Sequence, residues 1–186
     1  MNAGKELIFI INVTYFCRVK HSQAFLLLGS NIGDREKFLS EAISLIEKKL
    51  GTIVSKSSLY NTKAWGARSE RRSIQSDFLN QAICLKTSLP SEKLLKEILL
   101  IETKMGRTRK KKWESRTIDI DILFFNTEII NTPELTVPHP FLHKRRFALV
   151  PLNEICGGFV HPQLRKTIKI LLKECDDKLD VSMVIK

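Results

Sequence analysis

The chain has 186 residues, 31 of them Lys or Arg against 20 Asp or Glu, for a formal net charge of +11. That length suits one domain with a sizeable core, and the excess of positive charge asks for an anionic partner: a nucleotide, a nucleic acid or an acidic surface. Its four cysteines, Cys17, Cys84, Cys156 and Cys175, lie far apart and form no C-x-x-C pair, which argues against a zinc ribbon or a disulfide framework and suits free thiols in a reducing cytoplasm.

The N-terminal stretch Leu7–Cys17 is apolar but broken by Asn12 and Thr14. It is too short to span a bilayer and lacks the small-residue cleavage site of a secretory signal. An added strand, an unstructured extension and an early-assigned start all fit it. Ala24–Leu28 is a short apolar run that reads as a buried strand delivering a turn at Gly29-Ser30-Asn31. Asp34 can cap a helix to about Leu50, with Phe38, Ala42, Ile46 and Leu50 recurring every fourth position and Gly51 ending it. Thr52–Tyr60 alternates as a second strand. The polar loop Asn61–Ser76 is long for a compact domain, and such loops are usually functional or mobile.

Asp77–Thr87 reads as a third strand, with Phe78, Asn80, Ala82 and Cys84 on one face and Leu79, Ile83 and Leu85 on the other. Pro90-Ser91 opens a second helix with an apolar stripe of Leu94, Ile98, Ile101 and Met105, ended by Gly106. Glu102 lies beside that stripe and faces the basic loop that follows. The loop carries Arg107, Arg109, Lys110, Lys111, Lys112 and Arg116, with Glu114 as its one acid. In the next strand Ile118, Ile120, Ile122 and Phe124 alternate with Thr117, Asp119, Asp121 and Leu123. Asp119 and Asp121 therefore share a face, roughly 7 Å apart at Cα. Glu128–Asn131 reads as a short strand after a turn at Asn126, and Thr132–Arg146 as a proline-containing loop. Phe147–Ile155 is apolar and part helical. A last helix follows His161-Pro162, with Leu164, Ile168, Leu171, Leu172 and Cys175 on one side.

Strand, helix, strand, strand, helix, strand is the order of a ferredoxin-like, split β-α-β plan in the α+β class. Helices would cover one face of an antiparallel sheet. The other face would carry Asp119, Asp121, Phe78 and Asn80 beneath loops. Two carboxylates on a rigid strand, after a loop rich in fixed positive charge, suit Mg²⁺ carrying a polyphosphate, because magnesium shares substrate phosphates with one or two carboxylates and arginine offers forked donors to phosphate oxygens. A solvated D-x-D and a basic nucleic-acid patch are the plainer alternatives. No G-x-x-x-x-G-K-[ST], strand-borne G-x-G-x-x-G, aromatic RNA-recognition segment or nucleophile elbow occurs, so P-loop, dinucleotide-binding, RNA-recognition and Ser/His/Asp hydrolase chemistry have no sequence to stand on.

From about Gln23 to the last helix the segments LLLGSNIGDR, SSLYNT, DFLNQAI, IETKMGR, RTIDIDILFF and LTVPHPFLHKRRFALVPLNEI resemble the 6-hydroxymethyl-7,8-dihydropterin pyrophosphokinase family. The resemblance implies a ferredoxin-like core and transfer of pyrophosphate from ATP to the pterin hydroxymethyl group, with release of AMP. It implies that Asp119 and Asp121 hold two Mg²⁺ ions and that Arg107 and Arg116 act on the phosphates. It puts Glu102, Arg109, Trp113, Ile122, Thr136, His139 and Arg145 at nucleotide-contacting positions. Phe78 and Phe147 would sandwich the pterin, Asn80 would bond its amide edge, and Thr62 and Trp65 would border the same pocket. The resemblance further implies a monomeric, cytoplasmic enzyme acting on small molecules, with no nucleic acid or membrane partner. Its domain is expected over residues 23–180, and residues 1–22 have no counterpart in it. Glu114, Lys63-Ala64 and Leu99 depart from the family pattern.

Overall fold

The computed structural model describes residues 21–65, 76–107 and 116–185. Their elements run in the order β1 (Ser22–Ser30), α1 (Arg35–Lys49), β2 (Thr52–Lys56), β3 (Tyr60–Thr62), β4 (Phe78–Thr87), α2 (Ser91–Lys104), β5 (Asp119–Phe125), β6 (Ile130–Asn131), β7 (Thr136–Val137), a 3₁₀ turn (Leu142–Lys144), α3 (Arg146–Cys156), α4 (Ile168–Glu174) and β8 (Val181–Met183). The main sheet is antiparallel in the order β5-β1-β4-β3-β8, with β2 also on β4. Strand β1, central and apolar on both faces, pairs along its whole length with β4 from Ser22↔Thr87 to Ser30↔Leu79. This is the ferredoxin-like arrangement expected from the element order.

Asp34 does cap α1, its side chain accepting from the Lys37 amide. The face that α1 buries is Leu39, Ala42 and Ile46, so Phe38 is only half-buried and Leu39 takes its place. Together with Leu94, Ile98 and Ile101 of α2, these residues cover Leu26, Leu28, Leu79, Ile83, Leu85, Ile118, Ile120 and Ile122 on one sheet face. The opposite face is also partly covered. Leu142, Ala148, Leu149, Leu152, Ile168 and Leu171 pack on Phe25, Leu27, Ala82, Cys84, Leu123 and Phe124. Helices α3 and α4 thus roof half of the face expected to carry loops alone, and the other half is left for the site.

Four expectations change in detail. The second strand is two strands, broken at Ser57–Leu59. There Gln81 Nε2 donates to the Ser57 carbonyl (2.6 Å), the Ala82 amide donates to Ser57 Oγ (3.0 Å), and the Ser57 amide donates to the Ala82 carbonyl (2.9 Å). The isoleucine alternation of β5 stops at Ile122. The register against β1 shifts between Phe25 and Leu26, so Leu26 faces Ile122 while Phe25 faces Phe124. That bulge puts Leu123 and Phe124 together on the α3 side, and Phe125 rather than Phe124 joins the isoleucines. Past residue 180, Val181–Met183 adds a strand at the edge of β3. The last helix is shorter than expected, because Leu164 lies outside it and is exposed.

Candidate active site

The bulge-free half of β5 lies beside β1, and β1 beside β4. The register stacks three residues across them: Asp119 on β5 faces Gly29 on β1, and Gly29 faces Asn80 on β4. One step deeper, Asp121 faces Leu27, which faces Ala82. The floor therefore runs from a carboxylate pair at one side to an amide at the other, with a glycine between. A Cβ built on Gly29 would come within 2.7 Å of Asn80 Oδ1, so the amide occupies the space that a side chain would take.

A cavity of about 230 Å³ opens on this floor. It is lined by Thr62, Trp65, Phe78, Asn80, Arg107, Arg116, Asp119, Asp121, His139, Arg145 and Phe147, eleven of the sixteen residues expected at the site, and also by Leu27, Gly29, Lys63 and Ala64. Arg109 and Trp113 lie outside the described residues, as does the Glu114 departure. Glu102, Ile122 and Thr136 are the other three. Ile122 is buried at 5% exposure among the helix-side isoleucines, so its side chain does not reach the cavity. Thr136 is exposed on β7. Glu102 is not the surface residue that its charge suggests, for it is 1% exposed beneath the site. It accepts from Arg107 Nη1 and from the Ile120 amide (2.8 Å), as a buried carboxylate must to offset its desolvation.

The charges form an alternating network. Arg107 bridges Glu102 and Asp119, and Arg116 binds the second oxygen of Asp119. Arg145 Nη1 stands 3.6 Å from Asp121 Oδ2 and 3.2 Å from His139 Nε2. Asp121 is the least compensated acid. Burial, then the neighbouring Asp119 carboxylate, push its carboxyl up to about 6, against the pull of Arg145. His139 is held down to about 4 by burial and by Arg145, so it is neutral near pH 7. Its Nδ1 accepts the Phe141 amide (3.2 Å).

The aromatic side of the cavity is built around cations. Arg145 lies over Trp65 at 4.9 Å and over Phe141 and Phe147 at 5.7 Å, and Arg116 lies over Phe78 at 5.7 Å. Trp65 Nε1 donates to the Lys144 carbonyl (3.1 Å), and Asn80 Nδ2 donates to Thr62 Oγ1 (2.7 Å). The turn after β1 supplies a residue that the sequence reading left out. The Asn31 side chain accepts the Arg116 amide (2.8 Å) and its own amide donates to the Arg116 carbonyl (3.3 Å). That contact holds the end of the basic loop against the start of β5. The only trace of it in the sequence is the Gly29-Ser30-Asn31 turn.

The pattern that describes the 7,8-dihydro-6-hydroxymethylpterin-pyrophosphokinase (HPPK) family matches residues 25–157, the stretch that builds this cavity. The chain belongs to this family. Among its relatives, the 2-amino-4-hydroxy-6-hydroxymethyldihydropteridine pyrophosphokinase of Bacillus subtilis is 46% identical over 134 residues, 72% of this chain and 77% of the relative. That of Aquifex aeolicus is 44% identical over 145 residues, 78% of this chain and 87% of the relative. Among solved structures, the HPPK-DHPS protein of Plasmodium falciparum superposes with a TM-score of 0.69 at 22% identity, over 83% of this chain. The chain spans 45% of that longer protein, and at this identity the likeness speaks for the fold. Family membership accounts for the segments shared across β1, β4 and β5, and the structure brings those segments to one cavity.

Proposed function

We propose that this chain transfers a pyrophosphoryl group from ATP to the hydroxymethyl group of 6-hydroxymethyl-7,8-dihydropterin, giving AMP and the pterin diphosphate for folate biosynthesis. The observation that carries this reading is the Asp119–Gly29–Asn80 row. It sets two acids with arginines towards one side of a cavity and an amide with two aromatic rings towards the other, Arg116 lying over Phe78 and Arg145 over Phe147 where the two sides meet. A polyphosphate fits the first side and a flat heterocycle the second.

On the pterin side, Phe78 and Phe147 offer apolar faces and Asn80, braced by Thr62, offers the polar edge that orients a ring. Trp65 closes the same wall. On the ATP side, the buried Nε atoms of Arg116 and Arg145 have no protein acceptor among the described residues, which suits them to phosphate oxygens. His139, uncharged and with Nδ1 accepting the Phe141 amide, carries its proton on Nε2 and can donate at the same wall. Ile120 gives its amide to Glu102, pointing away from β1. By strand parity the Ile122 main chain points the same way, so Ile122 could meet a nucleotide through its backbone while its side chain stays in the core. Arg109, Trp113 and Thr136 are assigned to ATP by family resemblance alone.

The metal reading rests on donor chemistry. Asp119 and Asp121 are hard oxygen ligands on one strand face. Burial, with the Asp119 carboxylate beside it, disfavours the ionised form of Asp121, a cost that a bound cation would offset. Glu102, Asp119 and Asp121 already balance Arg107, Arg116 and Arg145, so a triphosphate would bring its charge uncompensated. Two Mg²⁺ ions held by Asp119 and Asp121 would supply that neutralisation and would acidify the pterin hydroxyl.

In the reaction the pterin hydroxymethyl oxygen forms a bond to the β-phosphorus of ATP. The bond from that phosphorus to the α,β-bridging oxygen breaks, AMP leaves with the oxygen, and the hydroxyl proton is released to solvent. Phe78, Phe147 and Asn80 hold the nucleophile, Arg107, Arg116 and Arg145 hold the phosphoryl oxygens, and catalysis is positioning plus electrostatic stabilisation. We read the enzyme as a cytoplasmic monomer acting on small molecules. Among the described residues no helix is long and apolar enough to cross a membrane. Incubation with ATP, Mg²⁺ and hydroxymethyl-dihydropterin tests the function: AMP should accumulate with the pterin diphosphate. ADP as the nucleotide product, or no pterin-dependent turnover, would overturn it.

A further inference from the structure

The wall that carries Phe147 is helix α3, whose first turn closes on the Arg145 carbonyl but lacks one backbone hydrogen bond. Pro151 lies four residues after Phe147 inside the helix. A proline has no N–H to give the carbonyl four residues back, so the Phe147 carbonyl loses its helical partner. No residue of α3 caps its N-terminus with a side chain. Ala148, Leu149 and Leu152 pack the helix on the sheet, and a polar clamp fixes where it lies along β3. Glu154 sits seven residues after Phe147, two turns on and on the same face. Its carboxylate accepts the Ser58 amide at 3.0 Å on each oxygen, Ser58 Oγ at 2.9 Å and Tyr60 Oη at 2.8 Å. Tyr60 in turn is two residues before Thr62 on β3, so both side chains lie on one face of that strand. Thr62 is the residue that braces Asn80.

Helix and strand therefore run past each other with two matched rungs. One rung is the Glu154–Tyr60 contact outside the cavity. The other is the gap between Phe147 and the Thr62–Asn80 pair inside it. We propose that Glu154 is a positioning residue for the pterin half of the site, setting how far Phe147 stands from β3 and β4 by clamping α3 to Ser58 and Tyr60. The Asp177 carboxylate, which accepts the Arg146 amide at 3.1 Å, supports the same helix at its start. Tyr60 is only 6% exposed, and its hydroxyl donates to the Glu154 carboxylate at the surface end of the ring. Loss of the clamp would loosen the roof over the pterin most, and Arg145 at the start of the same helix to a lesser degree, while leaving Asp119, held by Arg107 and Arg116, as it was.

This inference rests on the pterin reading of the cavity, and the test separates the two. Equilibrium binding of hydroxymethyl-dihydropterin, with a non-hydrolysable ATP analogue and Mg²⁺ present, is compared for the full-length wild type, Glu154→Ala, Glu154→Gln and Tyr60→Phe. Binding of the ATP analogue and melting temperature are measured on the same samples. Glu154→Ala should weaken pterin binding about tenfold, Tyr60→Phe by a smaller factor, and Glu154→Gln should recover most of the loss. ATP-analogue affinity, which Arg145 alone ties to this helix, should fall several-fold less than pterin affinity in each variant. A lower melting temperature with unchanged pterin affinity would overturn the proposal and leave Glu154 a structural contact. Equal weakening of both ligands would overturn it too. No pterin binding by the wild type would instead bring down the reading of the cavity, and the proposal with it.

Discussion

Gly29→Ala tests the geometry of the floor at its centre. The added methyl would sit 2.7 Å from Asn80 Oδ1, where an ordinary contact needs about 3.4 Å. The amide must yield by about 0.7 Å, the difference between those distances. The backbone of β1 is paired on both sides, to Asn80 and to Asp119, so the flexible amide moves and the strand does not. Gly29 on β1 and Thr62 on β3 flank Asn80 on β4, so the methyl drives the amide towards Thr62. Because that contact is already 2.7 Å, the amide must rotate out of it and break the hydrogen bond. Losing one such bond in a buried site, with the donor left turned from its substrate, costs about 1–1.5 kcal/mol. Pterin affinity should fall about five- to tenfold. Stability should change little, because alanine is favoured over glycine within a strand by about 0.5–1 kcal/mol and that offsets the crowding. Pterin binding and a thermal melt on the same preparation read both. Unchanged pterin affinity, or unfolding without a binding defect in the folded fraction, would refute this reasoning.

Other substitutions probe the charged half. Asp121→Asn removes an acid whose carboxyl is raised to about 6 from the usual 3.8. Between those values the folded state binds more protons than the unfolded one, so the ionised carboxylate lowers stability as pH rises through 6. The metal-free variant should therefore melt above the wild type at pH 8 by more than at pH 5, while losing turnover by orders of magnitude. A larger gain at pH 5 would contradict the assignment. Arg116→Ala should lower kcat by about 10² with smaller changes in KM, as steady-state kinetics would register. An effect confined to KM would argue for ground-state binding only. Chelation should abolish turnover and Mg²⁺ restore it, and full activity in excess chelator would exclude the metal reading.

Much of this was legible in the sequence because local pattern and site coincide. The D-I-D-I alternation puts both acids on one face, and the Phe78/Asn80 spacing does the same on β4, as the structure bears out. What was hidden was hidden for physical reasons. Ile122-Leu123-Phe124-Phe125 is apolar throughout, so no alternation marks the bulge that turns Phe124 to the α3 side. Glu102 reads as a surface acid because its partners, Arg107 and the Ile120 amide, come from beyond the helix that carries it. Val181–Met183 is too short to show a period, and its strand character comes from pairing with Tyr60–Thr62. Gly29 looks like turn punctuation. Its role depends on Asn80, fifty-one positions later, arriving directly opposite.

Counting metal ions reaches the centre of the account. Mn²⁺, titrated by electron paramagnetic resonance into the complex with an ATP analogue and the pterin, should bind at two sites per chain in the wild type. In Asp119→Asn/Asp121→Asn only the ion carried by the nucleotide itself should remain. Two tight sites persisting in the double variant would contradict the claim that these carboxylates hold the metal.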